Sequence, residues 1–173
     1  MGFLSPSISF TRYLVQGKVE QPIFETVYRG LVKNRILDID NETVESASGW
    51  TSFAYPYQPN FEQRSFIFDS YFIFSLRIDR KSISSRAVQK HMNVEMSKTI
   101  SKTGNAYLSK NEKKLLRENV ILQLATKTPA TPNIYDVIWN IEKHELWFFS
   151  TLKSANEELE TLFYRSFHVH LIV

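Results

Sequence analysis

The stretch FIFDSYFIFSLRIDRK, residues 66–81, decides the fold. Aromatic and β-branched side chains dominate both sides of Asp69 and Ser70, two residues that are typical of a tight turn. We therefore predict a β-hairpin with strands at residues 66–68 and 71–78. The second strand leads into a group of basic residues, namely Arg77, Arg80 and Lys81.

Two helices are predicted directly after this hairpin. Following Ser84 or Ser85 as the N-cap, apolar side chains recur every four residues: Val88, Met92, Met96 and Ile100. A second row is offset by two residues and is basic: Arg86, Lys90, Lys98 and Lys102. Because two residues correspond to about 200° of helical rotation, the two rows are expected on opposite faces.

The second of these helices is predicted to begin at a capping box. Ser109 and Glu112 have the required spacing, and the apolar residues Leu115, Leu116, Val120 and Leu124 follow. Residues 103–105, Thr-Gly-Asn, are expected to separate the two helices. The sequence thus predicts a basic helix hairpin.

The remaining segments predict strands and helices around this hairpin. Before the helix hairpin we expect a strand at 7–15, a helix from Pro22 to about Asn34 and a short strand near 50–55. After it we expect strands at 134–141 and 145–151, then a helix that begins with a capping box at Ser154, and finally a strand at 167–173. This order predicts one α+β domain over residues 1–173, with antiparallel sheets packed against helices and a projecting basic helix hairpin.

Charge is distributed unevenly along the chain. Residues 77–127 hold twelve of the 21 Lys and Arg but only four of the 18 Asp and Glu, a net charge of +8, while the rest of the chain carries −5. A basic cluster binds nucleic acid because each neutralised phosphate releases condensed counterions, although a charged helix face is more often simply solvated. Base-reading side chains such as Asn93, Asn111 and Gln123 are scattered, which argues against sequence-specific recognition.

Several local patterns occur in an order and spacing that resemble the N-terminal half of the recombination-associated RdgC family of bacterial DNA-binding proteins. They are Ser48-Gly49-Trp50, the strand end Arg77-Ile78-Asp79-Arg80-Lys81, the helix start Ile83-Ser84-Ser85-Arg86-Ala87-Val88, the Lys-rich segment at 108–114, Ile138-Trp139 and the segment at 154–159. The resemblance covers nearly all of the chain.

The resemblance implies a function in recombination. It implies a DNA-binding protein without sequence preference, which modulates recombinase access to DNA, forms a homodimer and associates with the nucleoid. With the basic segment, it makes ten residues our candidate DNA contacts: Lys81, Arg86, Lys90, Lys98, Lys102, Lys110, Lys113, Lys114, Arg117 and Lys127. Duplex DNA is the expected ligand.

Two other functions stay open on the sequence. A metal-dependent nuclease would need converging carboxylates, and the closest group is Asp38, Asp40 and Glu42, whose spacing is more typical of a solvated acidic loop. A protein-interaction module could instead present its basic hairpin to an acidic partner. Aromatic residues at 66–74 are expected in the core, whereas Tyr55, Tyr57 and Phe61 are candidates for exposed contacts.

The amino-acid composition excludes or disfavours several other classes of protein and binding site. The chain has no cysteine and only five glycines, which excludes disulfide scaffolds and Cys-zinc sites and disfavours glycine-rich nucleotide-binding loops. Its apolar runs are too short for a membrane span or a signal peptide. We therefore expect a cytoplasmic protein that is not an enzyme and requires no cofactor or metal.

Overall fold

The computed structural model describes residues 8–62, 65–103 and 107–173. Its strands are β1 (Thr11–Gln16), β2 (Ser46–Thr51), β3 (Ile67–Phe68), β4 (Tyr71–Arg80), β5 (Thr131–Asn140), β6 (Glu145–Phe148) and β7 (His170–Ile172). Its helices are α1 (Ile23–Lys33), α2 (Ser85–Thr103), α3 (Lys110–Ala125) and α4 (Lys153–Phe167). The protein has the predicted α+β fold, and these eleven elements follow one another in the predicted order. No helix within the described ranges is long and apolar enough to span a membrane.

The seven strands form one sheet in the order β2-β4-β5-β6-β1-β7, with β3 paired to β4. The predicted hairpins are confirmed: β3 and β4 pair antiparallel, as do β5 and β6, with Ile138 opposite Trp147. Strand β7 lies at one edge of the sheet beside β1, and β1 pairs antiparallel with both β6 and β7.

Contacts between Cα atoms divide the chain into two compact units. We call them the sheet unit, which comprises the described residues of Met1–Leu37, Ser48–Ile78 and Pro132–Val173, and the helical unit, which comprises Asp38–Ala47 and Asp79–Thr131. The helical unit contains almost all of the basic segment recognised in the sequence. It also contains the acidic segment Asp38–Ala47.

Aromatic side chains dominate the core of the sheet unit. Trp50, Phe74 and Trp139 are almost completely buried. The Trp50 and Phe74 rings contact each other, and all three rings contact aromatic rings of α4. Helix α1 packs on α4 so closely that a Cβ added to Gly30 would lie 2.6 Å from the Phe167 ring and 2.7 Å from a backbone oxygen. The glycine within an otherwise regular helix is therefore explained by helix packing.

Several polar groups inside the sheet unit have hydrogen-bond partners, whereas the buried Trp139 indole N–H has none among the described residues. The Trp50 indole N–H donates to the Ser166 hydroxyl at 2.8 Å. The Tyr13 hydroxyl lies 2.7 Å from Asn156 Oδ1 and 3.1 Å from Glu160. Burial, followed by the Glu160 charge and hydrogen bond, raises the pKa of Tyr13 above its ordinary value.

Several predicted boundaries are wrong, and four of them illustrate why. Strand β2 ends at Thr51 instead of reaching residue 55, because the chain turns after it: the Thr51 hydroxyl donates to the Pro56 carbonyl at 2.8 Å. Helix α4 has Leu152 at its N-cap with no side-chain cap, so the predicted capping box at Ser154 does not form. Helix α4 continues to Phe167, and His168 ends it in a left-handed conformation, φ 56°, which shortens β7. At the start of the chain, β1 begins at Thr11, and the predicted strand's first residue, Ser7, lies outside the described residues.

Candidate nucleic-acid interface

Helix α2 separates its apolar and basic residues as the spacing predicts. Val88 and Met92 are buried in a cluster with Val120 of α3, while Met96 and Ile100 are half-buried. The four predicted cations of α2 are all exposed: Arg86, Lys90, Lys98 and Lys102. The apolar row therefore packs against α3 and the basic row meets solvent.

Helix α3 begins at the predicted capping box. The Glu112 backbone N–H donates to the Ser109 hydroxyl at 3.3 Å, and the Ser109 backbone N–H donates to the Glu112 carboxylate at 2.7 Å. Hydrogen bonding of the Glu112 carboxyl to the Ser109 side chain, followed by its bond from the Ser109 backbone N–H, lowers the pKa of Glu112. The first two turns then present four exposed cations: Lys110, Lys113, Lys114 and Arg117. At 100° per residue, these cations fall within a stripe of about 100° on the helix surface.

One residue of the predicted apolar row on α3 is misplaced. Leu115 is 61% exposed, because the packing row consists of Leu116, Val120 and Leu124 at four-residue spacing. Leu115 lies at least about 100° from that row, at the margin of the packed face, where it lines a shallow pocket with Thr99 of α2.

The exposed cations are largely without carboxylate partners. Lys98 bonds to Glu95 at 2.6 Å, and this hydrogen bond, with the Lys98, Lys102 and His91 charges, lowers the pKa of Glu95. Within the described ranges, the other eight predicted and exposed cations make no ion pair: Arg86, Lys90, Lys102, Lys110, Lys113, Lys114, Arg117 and Lys127. A solvated helix face commonly carries cations and acids that offset one another. Helices α2 and α3 instead carry eight exposed cations against three carboxylates, those of Glu95, Glu112 and Glu118, so their net charge is positive.

The structure corrects the prediction that Lys81 contacts DNA. Lys81 is only 8% exposed, and its ammonium donates to three backbone carbonyls: Asp40 at 3.0 Å, Glu42 at 2.7 Å and Ala125 at 2.7 Å. All three N–H donors of the ammonium are thus occupied. Lys81 is a structural residue that joins the acidic segment to the C-terminal end of α3.

Arg80 was counted in the basic segment but was not chosen as a contact, and the structure places it at the surface. Arg80, the last residue of β4, is exposed, whereas Lys81, which follows the strand, is buried. Alternation along a strand predicts opposite faces for these two neighbours, but it does not show which of them is buried.

Tyr107, between α2 and α3, was also overlooked. It is 79% exposed and lines a shallow groove with Ile100 and Lys113. An exposed aromatic ring beside cations can stack on a nucleobase. Its position between two capped basic helices was the available signal.

The acidic segment belongs to the same unit as the basic helices. With it, the helical unit has eleven Lys and Arg against eight Asp and Glu, a net charge of +3. Asp40 fixes the segment near the end of α3, because its carboxylate accepts from the Ala130 N–H at 2.8 Å. Ala125 and Lys113 are twelve residues apart on α3, which corresponds to about 18 Å, or about two Debye lengths in physiological salt. The anchored acids therefore neutralise the far end of the helix pair only weakly.

The described ranges were compared with the requirement of a metal-dependent nuclease for converging ligands. No group of three or more His, Asp or Glu side chains there could hold a metal ion. The Asp38, Asp40 and Glu42 segment is instead organised by its backbone carbonyls around Lys81 and by the Asp38 carboxylate, which accepts from the Asp40 N–H at 2.9 Å.

The aromatic candidates separate into buried and exposed residues. Tyr55 and Tyr57 are 69% and 66% exposed, as expected for contact residues, and the Arg77 guanidinium lies 5.7 Å from the centre of the Tyr57 ring. Phe61 is buried, so its prediction as an exposed contact is wrong. Phe66, Phe72 and Phe74 are core residues as predicted, whereas Phe68 is 71% exposed.

Comparison with protein-family models and with curated proteins finds no match to the chain. The relationship to the RdgC family therefore stays a prediction from the sequence patterns described above.

Proposed function

We propose that this protein binds DNA without sequence preference, and that α2 and α3 form the binding surface. The observation that carries the proposal is the set of eight exposed cations without carboxylate partners in the described ranges of one compact unit. Lys and Arg arranged in this way neutralise phosphates and release counterions, which provides affinity for any sequence. The binding function requires no catalytic group.

The dimensions of the helix pair suit a polyphosphate ligand. Arg86 and Lys102 are sixteen residues apart on α2, a span of about 24 Å at 1.5 Å per residue. Phosphates of one DNA strand follow one another at about 3.4 Å along the duplex axis. A single helix can therefore approach phosphates distributed over roughly seven base pairs.

The polar residues between the cations favour sequence-independent binding. Asn93 is exposed on α2, but its side-chain oxygen already accepts from the Gln89 amide at 3.0 Å. Asn111 and Gln123 lie twelve residues apart on α3, about 18 Å along its axis. Asn111 and Gln123 are therefore too far apart along α3 to read adjacent bases.

The resemblance to the RdgC family supplies the proposed biological setting. In that setting the protein limits access of a recombinase to duplex DNA, acts as a homodimer and associates with the nucleoid in the cytoplasm. These properties are proposed on the sequence patterns, whereas the binding surface is proposed on the charge and exposure of named side chains.

A salt titration of duplex binding tests the proposal. We expect the logarithm of the binding constant to fall linearly with the logarithm of salt concentration, and Lys113→Gln or Lys114→Gln to reduce the slope by about one each. Lys98→Gln is expected to change the slope less, because Glu95 already neutralises Lys98. Fluorescence anisotropy with two duplexes of unrelated sequence measures both slope and specificity.

Three results would reject the proposal. A flat salt dependence would exclude phosphate neutralisation, and a strong preference for one duplex would exclude sequence-independent binding. Failure to bind random duplex at low salt, combined with capture of an acidic protein, would favour the interaction module. Magnesium-dependent degradation of the duplex would favour the nuclease.

A further inference from the structure

A cleft of about 300 Å³ opens beside α1 in the sheet unit, remote in sequence from the basic helices. Residues lining it include Phe24, Glu25, Tyr28, Phe61, Glu62 and Phe66. Phe24 and Tyr28 lie one helical turn apart and are 52% and 40% exposed. The Tyr28 ring is nearly parallel to that of Phe66, with 6.3 Å between centroids and 19° between planes. The cleft thus has solvent-accessible aromatic walls on a buried aromatic base.

Two carboxylates accompany these rings. Glu25 and Glu62 are exposed, and neither makes an ion pair with any residue of the described ranges. The face of an aromatic ring carries partial negative charge, so rings and carboxylates here attract the same sign of ligand. An anionic nucleic acid is disfavoured at this site, and a cation is favoured.

We propose that this aromatic and acidic cleft binds an arginine side chain presented by a partner protein. A guanidinium is planar and weakly hydrated, stacks on aromatic faces and donates several hydrogen bonds to carboxylates. An ammonium is more strongly hydrated and offers no flat surface to Phe24 or Tyr28. This site is separate from the proposed DNA-binding function and can be tested without DNA.

Titration of the uniformly ¹⁵N-labelled full chain with the peptide acetyl-Gly-Arg-Gly-amide tests the site. We expect saturable chemical-shift changes at the amides of Glu25, Tyr28 and Ile67, with a dissociation constant on the order of millimolar for one exposed side chain. The matched peptide contains citrulline, which keeps the shape of arginine but has no charge. It should bind at least about ten-fold more weakly, since both the cation–π and the ionic attraction are lost.

Single substitutions assign the contacts. Glu25→Gln and Glu62→Gln should each weaken the arginine peptide about three-fold, and Tyr28→Leu should weaken it by a similar factor. Glu157→Gln on α4 is the matched control and should change nothing, because Glu157 is exposed in the same unit but does not line the cleft. Retained dispersion of the amide spectrum verifies that each variant is folded.

The proposal is overturned by any of three outcomes. The first is the absence of shifts up to about 20 mM peptide, well above the expected millimolar constant. The second is equal binding of the citrulline peptide. The third is unchanged arginine binding by folded Glu25→Gln and Glu62→Gln proteins.

Discussion

Lys81 joins three segments that are far apart in the sequence. Its ammonium bonds to the carbonyls of Asp40 and Glu42 in the acidic segment and of Ala125 at the end of α3. The carbonyls of the last helical turn carry the negative end of the helix dipole, so a buried cation is favourable there. The charge of Lys81 is therefore used inside the helical unit, not at its surface.

Lys81→Met is expected to lower the free energy of unfolding by about 3 kcal/mol, because three carbonyls lose their donor while the apolar stem of the side chain is kept. Hydrogen exchange should accelerate in the segment Asp38–Ala47. The control Lys90→Met replaces an exposed lysine, and its effect should stay within about 0.5 kcal/mol. Urea unfolding measures the free energy of unfolding of each variant, and amide hydrogen exchange measures the opening of the acidic segment. A Lys81→Met protein that is as stable as the wild type but has a reduced DNA salt slope would restore Lys81 as a DNA contact.

Sequence reasoning could not place Lys81 correctly, because its partners are 39 to 44 residues away and become neighbours only in the folded unit. Along a strand, alternation shows that Arg80 and Lys81 point in opposite directions, but it does not show which direction is solvent. The exposed cations of α2 were easier to predict. A row of apolar residues identifies the buried face of a helix, and the opposite face is then known.

Among the elements, α3 depends on its first turn for stability. Ser109→Ala removes the hydroxyl that accepts the Glu112 N–H, and we expect a loss of about 1 kcal/mol. The pKa of Glu112 is lowered in the folded protein, so its contribution is present above its unfolded pKa and is lost as the pH falls through the folded pKa. The stability difference between wild type and Ser109→Ala should consequently shrink in acid.

Thermal unfolding at pH 7 and pH 3 measures this difference. Ser97→Ala is the control, since the Ser97 hydroxyl only donates to the Asn93 carbonyl within α2 and alanine is a better helix former. It should leave the stability unchanged or slightly higher. Equal losses of stability in Ser109→Ala and Ser97→Ala would show that the capping box does not stabilise α3.

The order of elements could be predicted because each has a local signal, such as the apolar spacing of α2 or the paired aromatic runs of β3 and β4. Boundaries were less predictable where that signal is ambiguous. The aromatic residues Phe53 and Tyr55 resemble a strand, yet the chain turns after Thr51. At α4, Ser154 has a suitable spacing from Glu157, but Leu152 is the N-cap and the helix begins at Lys153, two residues earlier than a cap at Ser154 would place it. Such choices depend on tertiary contacts that a local pattern does not contain.

At the scale of the whole molecule, charge is distributed differently between the two units. The sheet unit has ten Lys and Arg and ten Asp and Glu, whereas the helical unit has a net charge of +3. The effect of total charge on DNA binding can therefore be separated experimentally from the effect of where the cations lie. A protein that merely attracts DNA through its overall charge should respond equally to the loss of any four cations, but one that contacts DNA through α2 and α3 should not.

Two fourfold Lys→Gln variants with identical net charge make this comparison. The first replaces Lys90, Lys102, Lys113 and Lys114 in the helical unit; the second replaces Lys18, Lys33, Lys143 and Lys153, all exposed in the sheet unit. In about 0.1 M salt we expect the first to lose roughly a hundred-fold or more in duplex affinity, with a slope reduced by about four, and the second to change only a few-fold. Both should remain folded, because the replaced side chains are exposed. Equal losses in the two variants would mean that net charge alone attracts the DNA, and the assignment of the binding surface to α2 and α3 would then be wrong.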